Sequence, residues 1–166
     1  MTMRQWGITV FTVLMLGMFG ERAWNSVHDL VRMDAGGATI TISRAAYEAR
    51  AEVARTPAAR RQGLSGRDAL AADAGLLIVF DMLDQHRIWM KDMRFSIDLI
   101  WIAGGVVVDT HEQLPVPSPG RDPASLPYFN PRPQALFVLE VPAGTVAKYG
   151  IIHGDQVRID FDAKDE

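Results

Sequence analysis

Charged residues set inside oily stretches are where chemistry could sit, and two acids stand out. In HRIWMKDMRFSIDLIWI, residues 86–102, Asp98 shares its alternation with Ile100 and Ile102, while Phe95, Ile97, Leu99 and Trp101 take the other. Glu140 repeats the pattern in FVLEV, in step with Val138 and out of step with Phe137, Leu139 and Val141. If these are strands, period two puts each acid in line with aliphatic side chains. A carboxylate buried alone is expensive, so each is expected to be paired, hydrogen-bonded or protonated. Arg60, Arg67 and Lys91 are the cations nominated to meet Asp98. Three readings stay open: an internal ion pair that fixes strand register, the polar floor of a pocket, or simple exposure. Paired acids also suit glycoside hydrolysis, but that needs one raised pKa, and an acid held against arginine has a lowered one.

Other chemistries find less. Metal binding would fall to His28, His86, His111 and His153 with carboxylates. Asp109 and His111 lie two apart and can face one ion, but the spacing supplies no third ligand, and zinc usually takes three or four. Ser65 in GLSGR lacks the final glycine and the preceding strand of a nucleophile elbow. Dinucleotide and P-loop glycine patterns are absent, so no phosphate cradle is evident. Trp89 and Trp101 read first as core residues; exposed beside a loop, either would offer a face to a sugar ring. Apolar walls with a few Arg, Lys and Asp groups suit a carbohydrate or small-molecule cleft.

The elements that must position these residues are short and mostly β. ATITIS, residues 38–43, alternates weakly, and RAAYEARAEVAR places Tyr47, Ala49, Ala51 and Val53 on one parity. Thr56 and Pro57 start a helix over 57–62 that Gly63 stops, and that helix carries Arg60 and Arg61. GLLIVF, residues 75–80, is a buried strand, and RIWMK begins another. Gly104-Gly105 predicts a hairpin between the strand ending at Ile102 and the one starting at Val106. A proline-dense stretch from Pro115 to Pro133 follows, without regular structure, and its Tyr128-Phe129 pair gives it something to bury. Such loops often form lids or binding rims. ALFVLEV returns to strand, PAGTVAKYG is a short helix closed at Gly150, and QVRIDF ends the domain with Val157, Ile159 and Phe161 inward. The expected architecture is mainly β: a single β-sandwich or partly open barrel with one or two short helices.

The totals agree with one domain behind a leader. In 166 residues, 48% are apolar and cysteine is absent, which removes disulfides, thiolate metal sites and a cysteine nucleophile. The net charge of −3, with no long Lys/Arg block, argues against nucleic acid as a partner. Trp6 to Gly20 is uncharged behind Arg4 and shorter than a full bilayer span. It suits a signal peptide or a signal-anchor helix over 1–22, leaving a tether at 23–36, the β-rich domain at 37–162 and a polar tail at 163–166. Arg4 then stays inside and the domain faces the periplasm or cell exterior, or is secreted if the leader is cleaved.

TPAARRQGLSGR, AGLLIVF, IWMKDMRFSIDLIWI, ALFVLEVPAG and YGIIHGDQVRI, in that order, carry a family resemblance. The chain resembles the uncharacterised bacterial and archaeal family called domain of unknown function 192, from about Val53 to Ile159. Arg60 and Arg67 occupy motif positions of that resemblance. Ser96 stands where the family usually has proline, and Ile88 where it often has phenylalanine. The resemblance implies a mostly β domain with a common export segment, and no established activity.

Together these point to a non-enzymatic, membrane-tethered extracytoplasmic domain that binds a small molecule, glycan or envelope partner and needs no cofactor. Its cleft is expected between the proline-rich loop and the sheet, with Arg60, Arg67, Trp89, Lys91, Asp98, Tyr128 and Glu140 as candidate site residues. The rival is an envelope hydrolase or metal-assisted enzyme using Asp98, Glu140 or His111; a structural component without a pocket is a third possibility.

Overall fold

A computed structural model of the protein describes residues 36–162. The leader at 1–22, nearly all of the tether at 23–36 and the tail at 163–166 lie outside the described residues. Among the described residues, no helix is long and apolar enough to cross a membrane.

Strand β1 (Gly37–Ile42) and β2 (Tyr47–Ala54) form an antiparallel hairpin. In β2 the buried set is Tyr47, Ala49, Ala51 and Val53, against exposed Glu48 and Arg50, so period two prevails over alanine's helical preference. Helix α1 (Pro57–Gln62) then carries the chain across to β3 (Ala74–Asp84), which pairs parallel to β2. Strand β4 is the short Ile88–Trp89; β5 (Ile97–Ala103) and β6 (Val106–Leu114) form the glycine hairpin. Gly104 and Gly105 both take positive φ, +57° and +75°, as a type I′ turn requires.

The proline-rich stretch, expected to lack regular structure, has some. It holds a 3₁₀ turn at Pro123–Ser125 and β7 (Tyr128–Phe129), which pairs with β4 as a two-stranded ribbon. A two-residue strand at an edge avoids the missing proline donors that exclude a central one. Strand β8 (Ala135–Pro142) follows, then α2 (Thr145–Tyr149) and β9 (Val157–Phe161).

Seven strands make one curled sheet in the order β6-β5-β8-β3-β2-β1-β9. The curl brings its two edges together at one end. There Val107 N donates to Asp155 O at 2.9 Å, and Val157 N donates to Gly105 O at 2.8 Å. The result is a half-barrel, not two packed sheets. Its enclosed face buries Ile40, Ile42, Tyr47, Leu77, Ile100, Leu139 and Val141, closed by Val146 of α2 and by Ile151. The opposite face buries Leu76, Ile78, Ile97, Leu99, Trp101 and Val138 beneath Ala59, Leu64, Ile88, Met90 and Met93. Strand β5 is therefore buried on both faces, which is why its sequence alternates so weakly. One expectation fails at the sheet's end: Phe161 is exposed, with the Arg55 guanidinium 4.2 Å from its ring centroid, and Ile159 is only half-buried. Strand β9 is an edge, so Val157 is buried in the enclosed core, Ile159 packs against it half-buried, and Phe161 lies outside it.

Candidate functional site

The expected pairing of Asp98 with arginine is not what the chain forms. Asp98 lies opposite Val141 and points to the enclosed face, fully buried. Its carboxylate accepts from Gln113 N at 2.7 Å and from Val146 N at 2.9 Å. One bond holds the irregular backbone at Gln113, where φ is +53°; the other anchors the start of α2. Two amide donors satisfy a buried carboxylate without any cation. Asp98 fixes the strand's surroundings and stands apart from the cleft on the other face.

The nominated cations have other partners. Arg60 Nη2 pairs with Asp81 at 2.8 Å, and its Nη1 donates to the carbonyls of Arg55 and Val79. Arg67 grips Glu52 with two parallel bonds of 2.6 and 2.8 Å. Lys91 lies 3.6 Å from Asp92 and 5.7 Å from the Trp89 ring centroid.

Glu140 faces the other way. Cross-strand neighbours place Glu52, Leu76, Glu140 and Leu99 in one row across β2, β3, β8 and β5 on the covered face. Glu140 is 4% exposed and has no hydrogen bond or ion pair among the described residues. Burial pushes its carboxyl up to about 7, with the Arg67 charge working against the rise. It lies in a cleft of about 280 Å³ bounded by α1 and the loop after it, by β3, by the β4–β7 ribbon and by β5.

Local sequence explains the walls. Thr56 Oγ1 accepts from Ala59 N at 3.1 Å and so starts α1 where Arg60 and Arg61 reach the cleft. Gly63, at φ +50°, ends α1 directly over Glu140; a Cβ there would sit 3.8 Å from Oε2. Beyond it, Ser65 Oγ donates to Lys91 O at 2.8 Å and Gly66 N to Asp92 O at 2.9 Å, which ties this loop to the approach to β5. On the far wall Trp89 and Tyr128 stack at 5.9 Å and 11°, and the Arg87 guanidinium lies 5.1 Å from the Tyr128 ring.

The proline-rich segment that supplies Tyr128 is held at its base. Asp109 accepts from Arg132 N at 2.9 Å and from its guanidinium. Burial works to raise the Asp109 carboxyl, but the Arg132 contacts and the Thr110 amide outweigh it, and its pKa is lowered. Trp101 Nε1 donates to His111 Nδ1 at 3.0 Å, and the His111 ring meets Phe129 edge-on. Burial pushes the His111 pKa down, so the ring is a neutral acceptor at neutral pH. The Asp109–His111 pair is thus engaged in packing, and no group of three possible metal ligands occurs among the described residues.

Of the candidate residues, Arg60, Trp89, Tyr128 and Glu140 line the cleft; Arg67 and Lys91 flank it, and Asp98 does not approach it. Arg61 and Arg87, both exposed and without an acid partner among the described residues, were missed as site residues. A signal existed for each: Arg61 shares a two-turn helix with Arg60, and Arg87 shares the strand parity of Trp89.

The chain is similar to a solved Sinorhizobium meliloti 1021 protein described as a "putative transcription regulator". Identity is 27%, the TM-score is 0.63, and the match covers 74% of this chain and 92% of that one. It is also similar to a protein of unknown function from Novosphingobium aromaticivorans DSM 12444, at 25% identity and TM-score 0.62, covering 74% and 83% of the two chains. No curated protein matches. The family model of domain of unknown function 192, described as uncharacterized ACR, matches residues 38–159, and the chain belongs to that family.

Proposed function

We propose that this protein is a membrane-tethered, extracytoplasmic binding domain that holds a small molecule in the cleft between α1 and the β4–β7 ribbon, without catalysis. The observation that carries this reading is Glu140: a buried carboxyl with no hydrogen-bond or ion-pair partner among the described residues, at the floor of a cleft walled by apolar and charged side chains. Native proteins rarely leave such a group unpaired unless something else meets it. The volume, about 280 Å³, is at the small end for ligand pockets, so a molecule about the size of one ring fits better than a glycan chain or a protein segment. Tyr128 already carries Trp89 and Arg87 against its ring, which leaves less open aromatic face for a sugar.

Hydrolysis is the weaker reading. Asp98 and Glu140 project from opposite faces of the sheet, and His111 is spent on Trp101, so the three do not converge. The regulator description belongs to the Sinorhizobium neighbour; a net charge of −3 gives this chain no general attraction to phosphates. Export and tethering rest on the apolar run from Trp6 to Gly20.

A thermal-shift screen of the full chain in detergent, using small metabolites and mono- and disaccharides, tests the binding role. A ligand at a hundredfold excess over its Kd should raise Tm by about 10 °C. The same ligand should do nothing to a Trp89→Ala, Tyr128→Ala double variant. If every stabilising compound works equally on that variant, the cleft is not the binding site.

A further inference from the structure

The charges around the cleft are unevenly spent. On α1, Arg60 is neutralised by Asp81, and just beyond it Arg67 is neutralised by Glu52 of β2. On the ribbon, Lys91 sits by Asp92. Arg61 of α1 and Arg87 beside β4 have no acid partner among the described residues, yet both line the cleft of a chain whose net charge is −3. The floor holds one ionisable group, Glu140 of β8, flanked on β3 and β5 by Leu76 and Leu99.

We propose, resting on the small-molecule reading above, that the ligand is an amphipathic organic anion, its charged group taken by Arg61 and Arg87 and its inner end hydrogen-bonded by the Glu140 carboxyl as donor. Guanidinium groups suit carboxylate or sulfonate oxygens, which they bind through parallel N–H bonds. Between rim and floor the walls are Ile78, Ile88, Met93 and Ile97, which accept an apolar body. An anion cannot share so small a cleft with an ionised Glu140 at low cost, so binding requires the acid to hold its proton. The charged groups bearing on that proton are Arg67 and Arg60 with their acids Glu52 and Asp81, and Arg61 and Arg87 at the rim. Burial holds the carboxyl near 7, so the proton is available in the neutral range. The ligand itself stays ionised there, and affinity should fall as pH rises.

Calorimetric titration of the full chain in detergent with benzoate, hexanoate and benzenesulfonate, beside benzamide, hexanamide and benzamidinium, tests the inference. The anions should bind, the amides at least tenfold more weakly, and benzamidinium not at all. From pH 6 to pH 8 anion affinity should drop about tenfold, following the protonated fraction of Glu140. Glu140→Gln, which keeps a hydrogen donor, should bind anions with no pH dependence. Arg61→Ala with Arg87→Ala should cost at least tenfold while Tm without ligand stays unchanged. Amides binding as well as anions, with affinity indifferent to the two arginines, would overturn the anion assignment and leave the small-molecule reading intact. Anion binding that ignores pH in the wild type would overturn the role of Glu140. If no probe of any charge binds, both this inference and the reading beneath it fail.

Discussion

Asp98 and Glu140 are acids on adjacent strands, each buried among aliphatic side chains, and they solve burial differently. Asp98 is satisfied by two backbone amides, so it works as a clamp between β5, Gln113 and α2. Replacing it by alanine strands the buried Val146 amide and frees the Gln113 amide at the rim, and should cost about 3 kcal/mol in urea unfolding, with no change in ligand affinity. Glu140 has no such partners, and its folded pKa is raised from 4.5 to about 7. A raised carboxyl pKa stabilises the fold in full below the unfolded value, and that stability is lost as pH rises through the folded value. Between pH 5 and pH 8 the wild type should therefore lose about 2 to 3 kcal/mol that Glu140→Gln does not lose. Parallel urea titrations check this; equal slopes would show that Glu140 is ionised at low cost. Sequence parity correctly put both acids inside the fold. It does not say which face each strand turns to which neighbour, and the arginines expected beside Asp98 lie on the opposite side of the sheet.

At the scale of elements, the cleft depends on how two short pieces are held. Helix α1 is only six residues long, and its start rests on Thr56. Thr56→Ala should cost about 1 kcal/mol, lowering Tm by about 4 °C, and should weaken ligand binding through Arg60 and Arg61. The proline-rich segment is fastened by Asp109 to Arg132 and by packing of Phe129 on His111. Asp109→Ala should speed amide exchange and proteolysis across residues 115–134 while the sheet keeps its protection; unchanged exchange there would mean the ribbon is held by other contacts. Helix α1 and the Gly104-Gly105 hairpin were legible because capping and positive φ are local demands. The parallel pairing of β2 with β3, the insertion of β8 between β3 and β5, and the β4–β7 ribbon were not, because they are settled by contacts far apart in sequence. Arg87 and Trp89 became a wall only once Tyr128, far along the chain, closed against them.

For the whole molecule, the curled sheet separates two jobs. Its enclosed face is stitched shut by backbone bonds between the β6 start and residues 154–157, while on its covered face a cleft opens beside Glu140. The full chain should fractionate with membranes and be cut by protease added from outside, and removing residues 1–22 should leave it in the cytoplasm; full-length protein found free in the cytoplasm would contradict the tether. The central claim, that the α1–ribbon cleft is where this protein meets its ligand, is tested most directly by amide and indole NMR shifts on adding benzoate to the ¹⁵N-labelled full chain. Saturable changes are expected at Arg61, Gly63, the Trp89 indole, Tyr128 and Glu140. Changes centred instead on Asp98 and α2, or none that saturate, would contradict it.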